Sequence, residues 1–346
     1  MYDIITIGTA TRDVFIKSPL FKTIHDPEHL KRLGFLEGNA TCFMPGTKLE
    51  IEQPIFATGG GATNTATTFA RMGLKVATIG KIGADDGGER ILAECKVEGI
   101  TSRVVTDKAL STAYSVILVP DAGERTILTH RGASDKLKPA DLNKAFAQSR
   151  WVYIVPGNIP YPTILHAVNT YSKHGSKIAL NPSKHVVEKG LRSLKPLLAK
   201  IDVLIMNREE ASQMSGVSYD DINSIISKVR SAFSGILVIT DGAAGAYVID
   251  DTHRYDAGVF PKKMLTDATG AGDAYGSGFI ASLIYAQKAN KSAEFSEADI
   301  QEAIRVAAAN SASVVEHVGA KHGILTREAV LRSPRWKKLS IKQSHL

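Results

Sequence analysis

Leu265-Thr266-Asp267-Ala268-Thr269-Gly270-Ala271-Gly272-Asp273-Ala274-Tyr275-Gly276-Ser277-Gly278-Phe279 runs a glycine turn straight into an apolar helix. Several backbone N–H groups then point out of the helix start with no acceptor inside the helix. The aligned peptide dipoles make that end partly positive, and glycine lets an oxyanion approach the backbone without a Cβ in the way. Such a turn is an anion cradle. Asp273 stands in the first helical turn, where two readings hold side by side. One is helix capping. The other is a general base beside the cradle, placed to take a proton from a hydroxyl attacking a phosphoryl group.

Upstream of that turn the chain alternates short apolar runs with amphipathic stretches. Ile4–Ile7, Val76–Ile79, Val152–Val155, Lys177–Leu180, Val203–Met206, Ile236–Ile239 and Ala246–Ile249 read as strands, often closed by Gly, Asn or Pro. Thr63–Arg71, Gly88–Glu98, Asp141–Ser149, Thr163–Lys173 and Asp220–Phe233 read as helices. Near-continuous apolar strands separated by helices predict an α/β fold, a mostly parallel sheet covered on both faces. From Gly272 onward helix dominates, through Gln287 and again over Glu297–His317. Two stretches break the rhythm. Ser18–Thr58 contains the period-2 run Lys48-Leu49-Glu50-Ile51-Glu52, and Ala113–Val119 with Arg125–His130 reads as a hairpin around Pro120-Asp121-Ala122-Gly123. They form either a small β-layer or separate surface hairpins.

The chain has 346 residues, 44% hydrophobic and 22% charged, which excludes disorder and supplies a sizeable core. No run approaches the length of a membrane-spanning helix, and Met1-Tyr2-Asp3-Ile4-Ile5 is not a secretory leader. Cys42 and Cys95 are too few for a disulfide framework or a cysteine-ligated zinc, and the ten histidines show no metal-ligand spacing. The expected location is the reducing cytoplasm. Lys plus Arg 42 against Asp plus Glu 35 gives +7. Part of that excess lies in Arg332, Arg335, Lys337, Lys338 and Lys342, a segment expected to be a solvated, partly frayed tail. With only Trp336 interleaved, it does not read as a nucleic-acid surface, whereas a basic surface suits an enzyme handling phosphates.

Three further segments have a bland and a functional reading each. Thr58-Gly59-Gly60-Gly61-Ala62-Thr63-Asn64 is a flexible turn before a helix, or a backbone approach to a polar ligand with Asn64 as a two-sided hydrogen-bonding group. It is a poor dinucleotide fingerprint, because Asn64 replaces the third glycine, and the chain has no P-loop. Thr240-Asp241-Gly242-Ala243-Ala244-Gly245 is a turn between strands. Asn207-Arg208-Glu209-Glu210 follows a strand and has the spacing of a capping box.

In order, Gly59–Asn64, Asn207-x-x-Glu210, Thr240-x-Gly242-x-x-Gly245, Gly270-Ala271-Gly272-Asp273, and Asn310 with Gly319-Ala320 resemble the succession in the ribokinase-like sugar kinases, the PfkB family. The resemblance runs from Ile4 to about Thr326 and includes Gly83-Ala84-Asp85-Asp86-Gly87-Gly88 and Ala179-Leu180-Asn181-Pro182. It implies a three-layer α/β/α sandwich with a small β-lid. The large domain would comprise 1–17, 58–112 and 131–331, the lid 18–57 and 113–130, and the basic tail 332–346. By the same resemblance Asp273 is the catalytic base, and the amides of Gly270, Ala271 and Gly272 are the anion hole. Asp13, Gly60, Gly61 and Asn64 hold the acceptor hydroxyls, with Arg131 a further candidate. Asn207, Thr240, Gly242, Gly245 and Asn310 bind ATP, and Glu210 binds Mg²⁺ through water. Asp267 and Thr269, with carbonyls near Gly319-Ala320, form a candidate K⁺ site. Where the family usually has Thr, Ser or Pro this chain has Ala268. Where ribokinases proper carry Asn and Lys it has Thr11 and Gly61, which argues against ribose as the acceptor, and its lid region is longer than a minimal one.

The resulting expectation is ATP-dependent, Mg²⁺-requiring phosphorylation of a hydroxymethyl group on a small sugar or sugar derivative. A nucleoside kinase of the same family is the nearer alternative, with Phe15, Phe35, Phe43 and Tyr114 as candidates for a base-stacking wall. A NAD-dependent oxidoreductase or a non-catalytic nucleotide-binding protein is the farther one. Exposed lid-strand edges fit a homodimer.

Overall fold

The computed structural model describes residues 1–34, 38–119, 125–261, 263, 265–292 and 294–346. Phe35 and the turn Pro120–Gly123 lie outside the described residues. A ten-stranded sheet runs Ile341–His345, His253–Ala257, Ala246–Ile249, Ile236–Thr240, Val203–Asn207, Lys177–Leu180, Ser149–Val155, Tyr2–Gly8, Val76–Ile79 and Thr101–Ser102. The seven strands from Ile236–Thr240 onward are parallel, and the first three pair antiparallel. Ile4 lies opposite both Trp151 and Val76, which fixes the central register. Along Ser149–Val155 the side chains of Trp151 and Tyr153 enter one hydrophobic cluster and those of Val152 and Ile154 the other. A strand buried on both faces needs no polar alternation, so these runs read as continuous apolar blocks.

A second, four-stranded sheet runs Thr126–His130, Ala113–Val119, Thr11–Lys17 and Ile55–Gly59. The predicted hairpin is present, with Val116 opposite Leu128. Its strand Ala113–Val119 pairs parallel with the strand Thr11–Lys17, residues expected from the sequence in the large domain. Only Thr9 and Ala10 separate that strand from Tyr2–Gly8, so the chain passes from one sheet to the other in two residues. Asp13 is thereby placed in the small sheet, opposite Ser115 and Ala57.

Two expectations are corrected. Lys48–Glu52 is not a strand, because none of its side chains is buried and period-2 alternation forms a strand only where one face has something to cover. Its segment is tied down through Ser18 Oγ donating to the Glu50 carbonyl (2.6 Å) and the Glu52 N–H donating to the Lys17 carbonyl (2.9 Å). The basic tail is not frayed. Ile341–His345 closes the edge of the main sheet against His253–Ala257. Trp336, 4% exposed, packs edge-on against Phe260 with ring centroids 5.2 Å apart, and Arg335 stacks on Trp336 while pairing with Glu316. Among the described residues no helix is long and apolar enough to cross a membrane.

Candidate active site

Two contiguous cavities lie where the strands Val203–Asn207 and Ile236–Thr240 end and the helix Ala271–Asn290 begins. One, of about 270 Å³, is lined by Asn181, Asn207, Glu210, Thr240, Gly272 and Asp273, together with Gly270 and Ala271. The other, of about 220 Å³, is mostly apolar, with Gly242, Gly245, Phe260, Tyr275, Ala312 and Val315 in its wall. They share Thr240, Ala268, Ala271 and Gly272. A crevice at the carboxyl ends of parallel strands is where open α/β sheets bind ligands.

The helix starts at Gly270, whose φ of 78° favours glycine, and a Cβ there would come within 2.5 Å of the Ala320 side chain. Gly319-Ala320 thus packs directly beneath the turn. The Ala271 N–H leans on the Ala268 carbonyl at 3.3 Å, and the first full helical bond is Ala274 N–H to Gly270 carbonyl at 2.8 Å. Between them the N–H groups of Gly272 and Asp273 have no acceptor among the described residues. A Cβ added at Gly272 would meet no atom within 4 Å, so the space above it is open.

Burial pushes the Asp273 carboxyl up to about 6, against two smaller effects that favour its charged form. Asn64 Nδ2 donates to Asp273 Oδ2 at 2.8 Å, and the Lys321 ammonium contributes a favourable charge. Asn64 Oδ1 is buried without a partner among the described residues. Across the cavity, Asn207 and Glu210 form the reciprocal capping box, with Glu210 N–H on Asn207 Oδ1 (2.8 Å) and Asn207 N–H on Glu210 Oε2 (2.9 Å). Glu210 nevertheless lines the cavity. Burial raises its pKa first, opposed by the Asn207 N–H, and the negative charges of Glu209 and Asp273 raise it further. Two carboxylates facing one cleft favour a cation between them. Among the described residues no group of three or more His, Cys, Asp or Glu could hold a metal unaided. Glu210 and Asn207 therefore fit Mg²⁺ that arrives with phosphate oxygens and water as its other ligands.

Asp13 is buried, accepts from Thr11 Oγ1 at 2.9 Å, and has its carboxyl raised by that burial. A Cβ at Gly59 would collide with Asp13 Oδ2, and one at Gly61 with the Val155 side chain. Gly60, with φ of 95°, caps the helix Gly61–Arg71 and brings Asn64 onto Asp273. Asp267 accepts from the Thr269 N–H (2.9 Å), Thr269 Oγ1 (2.6 Å) and the Gly319 N–H (3.0 Å), and Arg125 NH1 donates to it at 2.7 Å.

Asp13, Gly60, Gly61, Asn64, Asp267 and Thr269 line neither cavity, although Asn64 reaches Asp273, and two further candidates, Asn310 and Arg131, are also outside them. Asn310 is fully buried in the interior, donating to the Ala274 carbonyl (2.9 Å) and accepting from the Leu325 N–H (3.0 Å). Its neighbours Ala308, Ser311 and Ala312 line the apolar cavity instead. Arg131 is exposed and lines neither cavity. Nor do the aromatic candidates among the described residues make one wall: Phe15 is buried, Phe43 sits on Phe21, and Tyr114 is exposed.

Sequence reasoning missed Lys321 and Arg125. Lys321 Nζ is buried, donating to Thr58 Oγ1 (2.6 Å) and pairing with Glu94 (3.0 Å), which ties the loop after Gly319-Ala320 to the glycine run at Gly59. Its place directly after Gly319-Ala320 was the only signal, and a lysine there reads by default as solvated.

The family model for pfkB family carbohydrate kinases matches residues 35–327, and the chain belongs to that family. Ribokinase of Haemophilus influenzae is 30% identical over 294 residues, covering 83% of this chain and 90% of that protein. A bifunctional ribokinase/ribose-5-phosphate isomerase A of Fructilactobacillus sanfranciscensis is 28% identical over 83% of this chain, which spans 52% of its length. The solved structure of Arabidopsis thaliana ribokinase complexed with ribose and ATP superimposes with a TM-score of 0.75 at 19% identity, over 97% of this chain and 99% of that one. The carbohydrate-kinase expectation and the ribokinase-like fold both stand.

Proposed function

We propose that this chain transfers the γ-phosphoryl group of ATP to a hydroxymethyl group of a small sugar or sugar derivative. The observation that carries this reading is Asp273, a carboxyl raised to about 6 and held by Asn64 at the start of a helix whose Gly272 and Asp273 N–H groups have no acceptor among the described residues. A base with that affinity for a proton is mostly ionised at neutral pH yet strong enough to help a hydroxyl attack. The Asp273 carboxylate takes the hydroxyl proton as the sugar oxygen bonds to the γ-phosphorus, and the bond to the ADP oxygen breaks. Charge building on the transferring group is met by N–H donors that need no reorganisation. The acceptor's neighbouring hydroxyls bind Asp13 and the unpartnered Asn64 Oδ1. The apolar cavity takes the adenine, with Thr240, Gly242 and Gly245 at its mouth. Bound with the nucleotide, Mg²⁺ supplies neutralisation of the β- and γ-phosphates, and Glu210 and Asn207 would hold it. The small sheet serves as a lid that excludes water.

The test is ATP consumption with Mg²⁺ across pentoses, hexoses, sugar acids, sugar phosphates and nucleosides, with Asp273→Asn run alongside. Turnover on one acceptor class, lost in the variant, is the expected result. Turnover on nucleosides alone selects the nucleoside-kinase reading. Near-normal turnover in Asp273→Asn removes Asp273 as the base.

A further inference from the structure

Asp267 is the residue on which the family resemblance would place K⁺, and the groups around it do not fit that ion. Its side chain is 7% exposed and already accepts four hydrogen bonds. Three come from neutral donors, the Thr269 N–H, the Thr269 hydroxyl and the Gly319 N–H. The fourth comes from the Arg125 guanidinium, the one cationic side chain among the described residues in salt-bridge contact with it. Arg125 lies 142 residues away in sequence, immediately before the small-sheet strand Thr126–His130. A buried carboxylate needs a compensating charge, and here the small sheet delivers it.

We propose that Arg125 takes the place of a monovalent cation at Asp267, so that the charge which orders the anion cradle arrives when the small sheet closes. This rests on the kinase reading for its consequence, though not for its geometry. Asp267 holds Thr269 on one side and Gly319 on the other, and Gly270 packs on Ala320. The guanidinium therefore acts through Asp267 on both strands of backbone that shape the cradle, which makes Arg125 a positioning residue. When the hairpin lifts, Asp267 is left with neutral donors alone and the loop Asp267–Gly270 loses its counter-charge. Closure over an acceptor and completion of the cradle become one event, and ATP bound without acceptor faces an incompletely ordered cradle. A guanidinium suits the task because it stays charged and loses less hydration than an ammonium on entering a buried pair.

The experiment compares wild type, Arg125→Ala and Arg125→Lys in KCl, NaCl and choline chloride at one ionic strength of about 100 mM, where screening is equal. Thermal unfolding is read first, then ATP consumption with the acceptor found above. The expected wild-type Tm agrees within about 1 °C between KCl and choline and its kcat within about twofold, while Arg125→Ala is stabilised by KCl over choline and its kcat, down about 10–100-fold in choline, is partly restored by KCl. Arg125→Lys keeps the wild-type indifference to KCl. Wild type that is strongly stabilised or activated by KCl overturns the proposal, because a cation then enters beside Arg125. An Arg125→Ala protein indifferent to KCl in both readouts overturns it too, because the site then needs no such charge. If no acceptor supports turnover, the kinase reading fails, while the melting curves still decide the cation question.

Discussion

Two helices in this molecule begin with the same sequence signal, a glycine run followed by small residues, and end up with opposite chemistry. At Gly61–Arg71 the start is closed by protein: the Gly61 N–H donates to Thr9 Oγ1 and the Ala62 N–H to the Thr9 carbonyl, both at 3.0 Å. At Ala271–Asn290 the N–H groups of Gly272 and Asp273 face a cavity. Both helices have a positive-φ glycine cap and no capping side chain. The difference is what the fold puts in front of them, Thr9 and Val155 in one case and open space in the other. Glycine at a helix start is thus a permit for close approach, by the chain's own backbone or by a ligand.

The largest effect should come from Asp273→Asn, which abolishes the proton acceptor while preserving shape. A loss in kcat of about 10³-fold or more is expected, with Tm within a few degrees of wild type by calorimetry. Next, Gly272→Ala and Gly61→Ala should separate the two helix starts. Gly272→Ala places a methyl in open space, so it should fold normally and lose turnover by about 10²-fold as phosphate is pushed off the N–H groups. Gly61→Ala meets Val155 and should cost about 1–3 kcal/mol in chemical denaturation. Equal stability losses in the two would erase the contrast.

The pH profile is the next test. Asp273 is raised from 3.8 to about 6 in the free protein, and the base works ionised, so kcat/KM should fall as pH drops through about 6. The sign for stability is the reverse. Between about 6 and 3.8 the folded protein holds a proton that the unfolded chain has released, so this group's contribution to stability grows as pH falls and is lost as pH rises through 6. Lys321→Met removes a positive charge that favours the carboxylate, and should move the acid limb of kcat/KM to higher pH. An unmoved limb would confine Lys321 to bracing Thr58 and Glu94. The smallest effect is expected from Thr9→Val, which removes the hydroxyl accepting from Gly61 N–H. About 1 kcal/mol of stability should go, with kcat changed less than about twofold, since that helix start binds no phosphate.

The α/β class, the alternation of strands and helices, and the glycine turn before Asp273 were legible in the chain alone, because they depend on neighbours a few residues apart. Apolar runs in Val203–Asn207 and Ile236–Thr240, the Asn207–Glu210 capping box, and the glycines before Asp273 each obey a local rule, and their order was enough to indicate the family. Lys48–Glu52 obeyed a local rule as well and failed, since alternation without a surface to cover makes no strand. The basic tail was misread for the complementary reason: its pairing edge, His253–Ala257, and its aromatic partner, Phe260, are more than seventy residues away. Tertiary structure alone put Asn310 in the interior, Lys321 on Glu94 and Thr58, and Arg125 on Asp267. Those placements depend on which distant segments the sheet topology makes adjacent. A lone Lys, Arg or Asn has no spacing pattern that marks it as buried, and only its partner across the fold distinguishes it from a solvated surface residue.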